Sequence, residues 1–243
     1  ALNSAFVGFE GTPVATDRHL YVAMTEGSTM TRAHVACLDA ETGAAKWVRF
    51  VFDSNNAVEM QGGMPMGGGA EDLAHRLLTL EGDMLFYQSN MGALAALDAT
   101  NGQVRWVATY PHRDLANGGL TTRDLNPAIV HNGLVLIAPE DAAAIYAFDA
   151  ETGRLVWKTA DLPMDDVIHV LGVAKGKLFA TGNHVWTIHV KTGQVLNRWP
   201  DNGQGFEGYG RGLLAGDQVY WPTRTEIHVL DQATGLRSRP PIK

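Results

Sequence analysis

Short runs of β-branched and aromatic residues, separated by polar turns, recur along the whole chain. The segment Arg154-Leu155-Val156-Trp157, for example, follows a Thr-Gly pair and is rich in residues that favour strands. Nowhere do apolar residues recur at every third or fourth position over about ten residues, as they do in an amphipathic helix. The pattern therefore predicts an all-β chain.

One polar phrase, Asp-x-x-Thr-Gly or a close variant, divides these runs into repeats. It occurs at residues 39–43, 98–102, 149–153, 189–193 and 231–235. An Asp side chain can accept a backbone N–H two residues on, and Gly adopts positive φ, so the phrase predicts a tight turn between strands. Its glycines are 59, 51, 40 and 42 residues apart, which is typical of one four-stranded antiparallel propeller blade with insertions in the early copies.

A tryptophan follows the turn glycine by four residues in the first three copies, at Trp47, Trp106 and Trp157. The resulting phrase, Asp-Ala-x-Thr-Gly-x-x-x-Trp, resembles the tryptophan-docking repeat of the PQQ-like repeat (quinoprotein alcohol dehydrogenase-like) β-propellers. That family includes the BamB-type outer-membrane assembly scaffolds. The resemblance covers about Gly11 to Gly235 and implies that the three tryptophans are structural, each docking one blade on the next. Since the family contains both dehydrogenases and non-catalytic scaffolds, the resemblance alone does not select an activity.

The predicted domain is a single β-propeller or propeller segment over residues 1–243. Five repeats are fewer than the roughly eight blades of larger propellers, which favours part of a larger ring. The alternative is a closed five-bladed ring, in which residues 5–9 provide an outer strand for the last blade.

Composition and charge narrow the classes of function. A hydrophobic fraction of 45% argues against disorder, and no apolar run reaches the roughly 18 residues of a transmembrane segment. The net charge of −7 disfavours a nucleic-acid partner. A single cysteine, Cys37, excludes an intramolecular disulfide and a Cys-rich zinc site. The family resemblance implies a periplasmic or secreted location, with a lipid anchor as one form of it.

Candidate ligand-binding residues fall in the loops expected to join one blade to the next, on a single face of the propeller. They are polar or aromatic: Arg123, Asp124, Asp165, Asp166, Tyr209 and Arg211. Adjacent carboxylates such as Asp165 and Asp166 suit a hard cation such as Ca²⁺, but in loops they are usually solvated. We therefore predict no metal site.

No catalytic motif emerges from the sequence. It contains no Gly-x-Ser-x-Gly, His-Glu-x-x-His or Gly-x-x-x-x-Gly-Lys. The resemblance implies that a PQQ enzyme often carries a vicinal cysteine pair, which one cysteine does not provide. The sequence thus predicts a non-catalytic binding or scaffold module, without a cofactor, that binds a protein partner or small ligand on the loop face. The alternative is a PQQ-dependent alcohol or sugar dehydrogenase that also binds calcium.

Overall fold

The structure, a computed structural model, describes residues 7–26, 31–54, 77–89, 91–112, 123–163, 166–201 and 206–243. Within these ranges it contains twenty β-strands and no helix. Consequently, no helix in this part of the chain has the length and apolar character needed to cross a membrane. The strands form five four-stranded antiparallel sheets, so the predicted all-β class and the five predicted repeats are confirmed.

The chain divides into two compact units, residues 1–119 and residues 120–243. The first unit contains two sheets, and in each the strands lie in chain order. Sheet 1 is formed by β1 (Val7–Ala15), β2 (His19–Glu26), β3 (Thr31–Asp39) and β4 (Ala45–Ser54). Sheet 2 is formed by β5 (Leu77–Glu81), β6 (Met84–Gln88), β7 (Ala93–Asp98) and β8 (Val104–Thr109).

The second unit contains three sheets with the same strand order. Sheet 3 is formed by β9 (Ile129–His131), β10 (Leu134–Ile137), β11 (Tyr146–Asp149) and β12 (Leu155–Lys158). Sheet 4 is formed by β13 (His169–Ala174), β14 (Lys177–Thr181), β15 (Val185–His189) and β16 (Val195–Trp199). Sheet 5 is formed by β17 (Leu213–Ala215), β18 (Gln218–Pro222), β19 (Ile227–Asp231) and β20 (Arg237–Ile242).

The hydrophobic core of each unit lies between neighbouring sheets. In the first unit, Val35 of sheet 1 and Leu85 of sheet 2 are fully buried in one cluster. In the second unit, Ala147 of sheet 3 packs in a cluster with Ile188 of sheet 4. Because side chains alternate across a strand, the central strands can fill the spaces on both sides of their sheet with apolar groups.

The repeated Asp-to-Gly phrase forms the turn between the third and fourth strands of each sheet. At the first copy, the Asp39 carboxylate accepts hydrogen bonds from the Thr42 N–H at 3.0 Å and the Thr42 hydroxyl at 2.9 Å. The Gly43 N–H donates to the Asp39 carbonyl at 2.9 Å, and Gly43 has a φ of 71°. This φ lies in the left-handed region that favours glycine, which explains the residue at this position.

The opposite ends of the strands carry the loops that join sheet to sheet and second strand to third. In the second unit these loops comprise residues 123–128, 138–145, 159–163, 166–168, 182–184, 206–212 and 223–226. We call this set the loop edge. In an antiparallel sheet with the strands in chain order, both kinds of connection fall at the same end, so the topology brings these loops together.

Candidate functional site

Arg123, one of the predicted binding residues, is buried at the loop edge with an exposed fraction of 3%. Its Nε–H donates to the Val167 carbonyl at 3.0 Å, and its Nη groups donate to the carbonyls of Pro139, Ala142 and Ala143. Burial lowers the pKa of the guanidinium to about 10, so the group still carries its charge at neutral pH. The structure thus places Arg123 as an internal clamp that holds loop 138–145, with its donors bonded inside the chain.

Asp166 pairs with His184, a residue that sequence reasoning did not select. The Asp166 Oδ2 and His184 Nδ1 atoms are 2.7 Å apart, and both side chains are buried. A Cβ at Gly182 would lie 1.9 Å from the Asp166 carbonyl oxygen, so the glycine permits this approach of the two segments. Asp165, the adjacent residue and also one of the predicted binding residues, lies outside the described residues.

Asp124 forms the second carboxylate–imidazole pair, with His169. Its Oδ2 is 3.0 Å from His169 Nδ1, and the Asp124 N–H donates to the Ile168 carbonyl at 2.9 Å. The Asn126 amide fixes the same two segments, donating to the Ile168 carbonyl at 3.0 Å and accepting from the Val170 N–H at 2.7 Å. Asp166 and His169 are therefore held by different partners, although they are close in sequence.

Tyr209 and Arg211 lie in the loop before sheet 5. Arg211 is exposed, and one of its Nη groups donates to the Val170 carbonyl at 2.6 Å. Tyr209 is 64% exposed, and the guanidinium of Arg224 lies 5.7 Å from its ring centroid. Arg224 also donates to the Glu207 carboxylate at 2.6 Å. These side chains form an exposed group, which we call the Tyr209 patch: Phe206, Glu207, Tyr209 and Arg224.

Phe206 of the Tyr209 patch also belongs to a group of four aromatic rings that pack together. The Phe206 and His228 ring centroids are 4.4 Å apart, and Trp199 and Trp221 complete the group with centroid distances of 5.1 and 5.6 Å to His228. His228 is 1% exposed, and burial lowers its pKa. Its nearest described ionisable partner is Glu226, with His228 Nε2 and Glu226 Oε1 3.4 Å apart.

Sequence reasoning missed this aromatic group. Trp221 and His228 face each other as a cross-strand pair of β18 and β19, which strand register alone can suggest. Phe206 reaches the pair from a loop, and its N–H donates to the Asn183 carbonyl at 2.9 Å. Loop placement of this kind depends on tertiary contacts, so no sequence pattern indicated it.

The donor chemistry of the loop edge matches poorly with a calcium site. Three of its carboxylates already have a basic partner: Asp124 with His169, Asp166 with His184, and Glu207 with Arg224. Among the described residues, no three His, Cys, Asp or Glu side chains lie close enough together to hold a metal ion. The predicted ligand-binding roles stay predictions.

Two of the three predicted docking tryptophans, Trp47 and Trp157, lie at Asp-to-Gly turns. The Trp47 N–H donates to the Ala99 carbonyl at 3.3 Å, and a Cβ on Gly102 would lie 2.6 Å from the Trp47 ring. In the second unit, the Trp157 N–H donates to the Val190 carbonyl at 2.9 Å, and its ring covers Gly193. The third tryptophan, Trp106, is half-buried on β8, with its ring centroid 6.0 Å from that of Phe86.

Comparison with known proteins identifies relatives of two kinds. The family model described as outer membrane protein assembly factor BamB matches residues 116–239, just over half of the chain. The dehydrogenase subunit of the quinone alcohol dehydrogenase of Acetobacter aceti is 30% identical over 162 residues, which are 64% of this chain and 20% of that protein. The chain therefore spans about a fifth of the length of this relative.

Solved structures of both kinds share the fold. BamB from Moraxella catarrhalis superposes with a TM-score of 0.53 at 17% identity, covering 95% of this chain and 74% of that one. The quinohemoprotein alcohol dehydrogenase from Comamonas testosteroni superposes with a TM-score of 0.61 at 17% identity, covering 98% and 46%. With its repeats formed as five four-stranded antiparallel sheets and over half of its residues matched by the family model, the chain belongs to the PQQ-like repeat β-propeller family.

Proposed function

We propose that this chain is a non-catalytic binding module that holds a protein partner at its loop edge, through the Tyr209 patch. The observation that carries the proposal is the exposure of Tyr209, 64%, beside the guanidinium of Arg224. Tyrosine and arginine are enriched among the residues that contribute most to protein–protein binding. Phe206, 38% exposed, adds apolar surface to the same patch.

The backbone under the patch is held in place, which favours binding because little has to be ordered on contact. The Tyr209 N–H donates to the Pro222 carbonyl at 3.1 Å, and Gly208 forms a β-bridge with Thr223. A Cβ on Gly208 would lie 1.9 Å from the Gly182 carbonyl oxygen. The patch is thus presented by a segment packed closely on sheets 4 and 5.

The proposal also includes the location of the protein in the cell. The description of the matching family model, an outer membrane protein assembly factor, supports a protein partner in the bacterial cell envelope. We therefore propose a periplasmic or secreted location, with lipid anchoring as one form of it. A small ligand on the loop edge is the second class of partner that the exposed aromatic and guanidinium groups suit.

A PQQ-dependent alcohol or sugar dehydrogenase is the second candidate. It is favoured by the 30% identity to the Acetobacter aceti dehydrogenase subunit. Such an enzyme would need a carboxylate-rich calcium site beside the quinone, and the described loop-edge carboxylates of Asp124, Asp166 and Glu207 are paired with basic groups instead. The residues described therefore do not fit the cofactor, and we derive no catalytic step through it.

The two candidates are separated by a pair of measurements on the same protein. A photo-crosslinking amino acid at position 209, introduced in the source cells, should capture one defined protein, whereas the same group at Leu196, 44% exposed on β16, should not. With that partner purified, Tyr209→Ala and Arg224→Ala should each weaken binding at least tenfold, and Leu196→Ala should leave it unchanged.

The second measurement is a titration with PQQ, with and without Ca²⁺, followed by tryptophan fluorescence and by dye reduction with alcohols and sugars. We expect no saturable quenching and no dye reduction. Calcium-dependent, saturable quinone binding accompanied by dye reduction would overturn the non-catalytic proposal in favour of the dehydrogenase.

A further inference from the structure

The first two strands of sheet 3 are joined by a two-residue turn, Asn132-Gly133. Asn132 has a φ of 47° and Gly133 a φ of 77°, and two positive values in succession are typical of a type I′ hairpin turn. Both residues are exposed, and a Cβ on Gly133 would meet no described atom within 4 Å. Asparagine adopts positive φ more readily than most residues, which explains its place in the turn. The same choice puts a side-chain amide next to the backbone N–H of a glycine.

An asparagine that precedes a glycine can react with its own backbone. The backbone nitrogen of the glycine attacks the side-chain carbonyl carbon, and the new C–N bond closes a succinimide ring while the amide nitrogen leaves as ammonia. The proton that the backbone nitrogen loses is balanced by the proton that the departing nitrogen gains. Water then opens the ring at either carbonyl and gives an aspartyl or an isoaspartyl residue. Glycine favours the reaction because it has no side chain to hinder the approach.

The reacting groups of the Asn132-Gly133 turn are not held by backbone contacts. Among the described residues, the Gly133 N–H has no hydrogen-bond acceptor. The Asn132 amide nitrogen lies 3.1 Å from the Nε2 atom of His131. When protonated, an imidazole at this distance donates to the nitrogen that leaves. His131 is therefore placed to supply the proton with which ammonia departs.

A second pair of the same sequence, Asn101-Gly102, is held in place by the fold. Its Gly102 N–H donates to the Asp98 carbonyl at 2.8 Å, and its Asn101 side-chain oxygen accepts from the Gln103 N–H at 2.7 Å. Gly102 is buried, and a Cβ on it would lie 2.6 Å from the Trp47 ring. The attacking nitrogen is thus engaged and covered, which protects Asn101 from the reaction. The sequence has two further pairs that lie outside the described residues, Asn117-Gly118 and Asn202-Gly203.

We propose that Asn132 is a deamidation site of the folded chain, at which water converts the side chain to an aspartyl or isoaspartyl residue and His131 protonates the leaving ammonia. The product places a carboxylate in the turn, and the isoaspartyl form adds a methylene to its backbone. This turn is tied to the Asp149–Gly153 turn, because the Ala150 N–H donates to the Gly133 carbonyl at 2.8 Å. The modification therefore acts on the contact between two turns of sheet 3 and is independent of any partner at the Tyr209 patch.

The test is to keep the purified, folded chain at neutral pH and to follow both asparagines by peptide mapping and mass spectrometry. Trypsin cuts after Arg105 and Arg123, so Asn101 and Asn132 fall in different peptides. We expect Asn132 to be lost at least tenfold faster than Asn101, with the oxygen of isotopically labelled water incorporated at position 132. In urea, where the fold is lost, the two asparagines should react at similar rates.

Two variants separate the chemistry from the fold. Asn132→Lys is the matched control, because sheet 4 has Lys175-Gly176 in the equivalent turn, where Lys175 has a φ of 50°. This variant should fold and give no product at position 132. His131→Phe should slow the loss of Asn132 several-fold in the folded chain and leave it unchanged in urea. Circular dichroism establishes that each variant is folded.

The outcomes that would overturn the proposal are distinct. In the folded chain, loss of Asn101 at the rate of Asn132 would show that the fold does not select the site. An Asn132 that stays intact in the folded chain but reacts in urea would show that the turn protects it. An unchanged rate in folded His131→Phe would remove His131 from the reaction.

Discussion

Several buried or half-buried side chains donate hydrogen bonds to backbone oxygens of other segments. Arg123 donates to carbonyls of loop 138–145, Trp157 to the Val190 carbonyl, and Asn197 to the Gly235 carbonyl. In each case a single side chain donates to acceptors on a different repeat or loop. Hydrogen bonds from single side chains therefore fix segments that lie far apart in sequence to each other.

Replacing Arg123 by methionine tests this role, because the aliphatic chain is kept and the donors are lost. The carbonyls of Val167, Pro139, Ala142 and Ala143 would lose the guanidinium as a hydrogen-bond donor, and we expect the free energy of unfolding to fall by about 3 kcal/mol. Arg211→Met is the control, since Arg211 is exposed and donates to the Val170 carbonyl from the surface, and it should change stability by less than about 1 kcal/mol. Urea unfolding followed by circular dichroism measures both. Equal effects of the two substitutions would contradict the clamp role.

His228 gives the second unit a pH-dependent stability. Burial lowers its folded-state pKa below 6.5, with Glu226 opposing the shift and Arg237 assisting it. The unfolded chain therefore takes up the proton first as pH falls, so stability is complete above about pH 6.5 and is lost progressively below it.

We expect His228→Phe to flatten this dependence, because the ring is kept within the aromatic group and the titration is removed. The readout is the urea midpoint at pH 8, 6.5 and 5 for the variant and the parent chain. His131→Phe, at the end of β9, should retain the pH dependence of the urea midpoint seen in the parent chain. If the slope persists in His228→Phe, the pH dependence belongs to other groups.

At the scale of the element, the Asp-to-Gly turn is the unit that sequence predicts best, because its hydrogen bonds are local. The Asp149 carboxylate, for example, accepts from the Thr152 N–H at 2.8 Å, three residues away. The fourth repeat has His189 in place of the aspartate and still forms the turn. His189 Nδ1 lies 3.0 Å from the Thr192 hydroxyl. A local phrase thus predicts a local structure even when one of its residues is replaced.

The Asp39–Gly43 turn is expected to contribute less to stability at acid pH. Hydrogen bonds from Thr42 and the ammonium of Lys46 lower the pKa of Asp39 from 3.8 to about 2. A lowered folded-state pKa contributes stability that is present above pH 3.8 and lost as pH falls through about 2. Asp39→Asn should therefore lower the urea midpoint at pH 5 but have a much smaller effect at pH 2. Asp17→Asn is the control and should have little effect at either pH.

The loop edge shows where prediction from sequence stops. Arg123, Asp124, Asp166, Tyr209 and Arg211 all lie there, as the order of strands and loops implied. Their partners could not be predicted, because the bond between Asp166 and His184 joins residues 18 positions apart and the bond between Asp124 and His169 spans 45. Such contacts follow from how loops of different repeats pack, which no local pattern encodes.

At the scale of the whole molecule, repetition makes stability a sum of similar contacts between neighbouring sheets. The side chain four residues after the turn glycine varies, as Trp47, Trp157 and Asn197 show, while each turn that it contacts keeps its form. The strength of these contacts is therefore expected to differ from one pair of neighbouring sheets to the next.

The docking contacts of Trp47 and Trp157 allow a test of whether contacts between neighbouring sheets contribute additively to the free energy of unfolding. Trp47 contacts Ala99 and Gly102 in the first unit, whereas Trp157 contacts Val190 and Gly193 in the second, so the two side chains have no docking partner in common. Trp47→Phe and Trp157→Phe each remove the indole donor and should each lower the free energy of unfolding by about 1–2 kcal/mol.

The double variant should lose the sum of the two single losses to within about 0.5 kcal/mol, because distant sites without shared partners act independently. Chemical unfolding followed by circular dichroism gives the four free energies of the cycle without relying on tryptophan emission. Val107→Ala, at an exposed position of β8, serves as a control and should change stability by less than about 0.5 kcal/mol. A coupling energy above about 1 kcal/mol would show that the two tryptophan contacts are not independent, and the nearest-neighbour description would then be wrong for this chain.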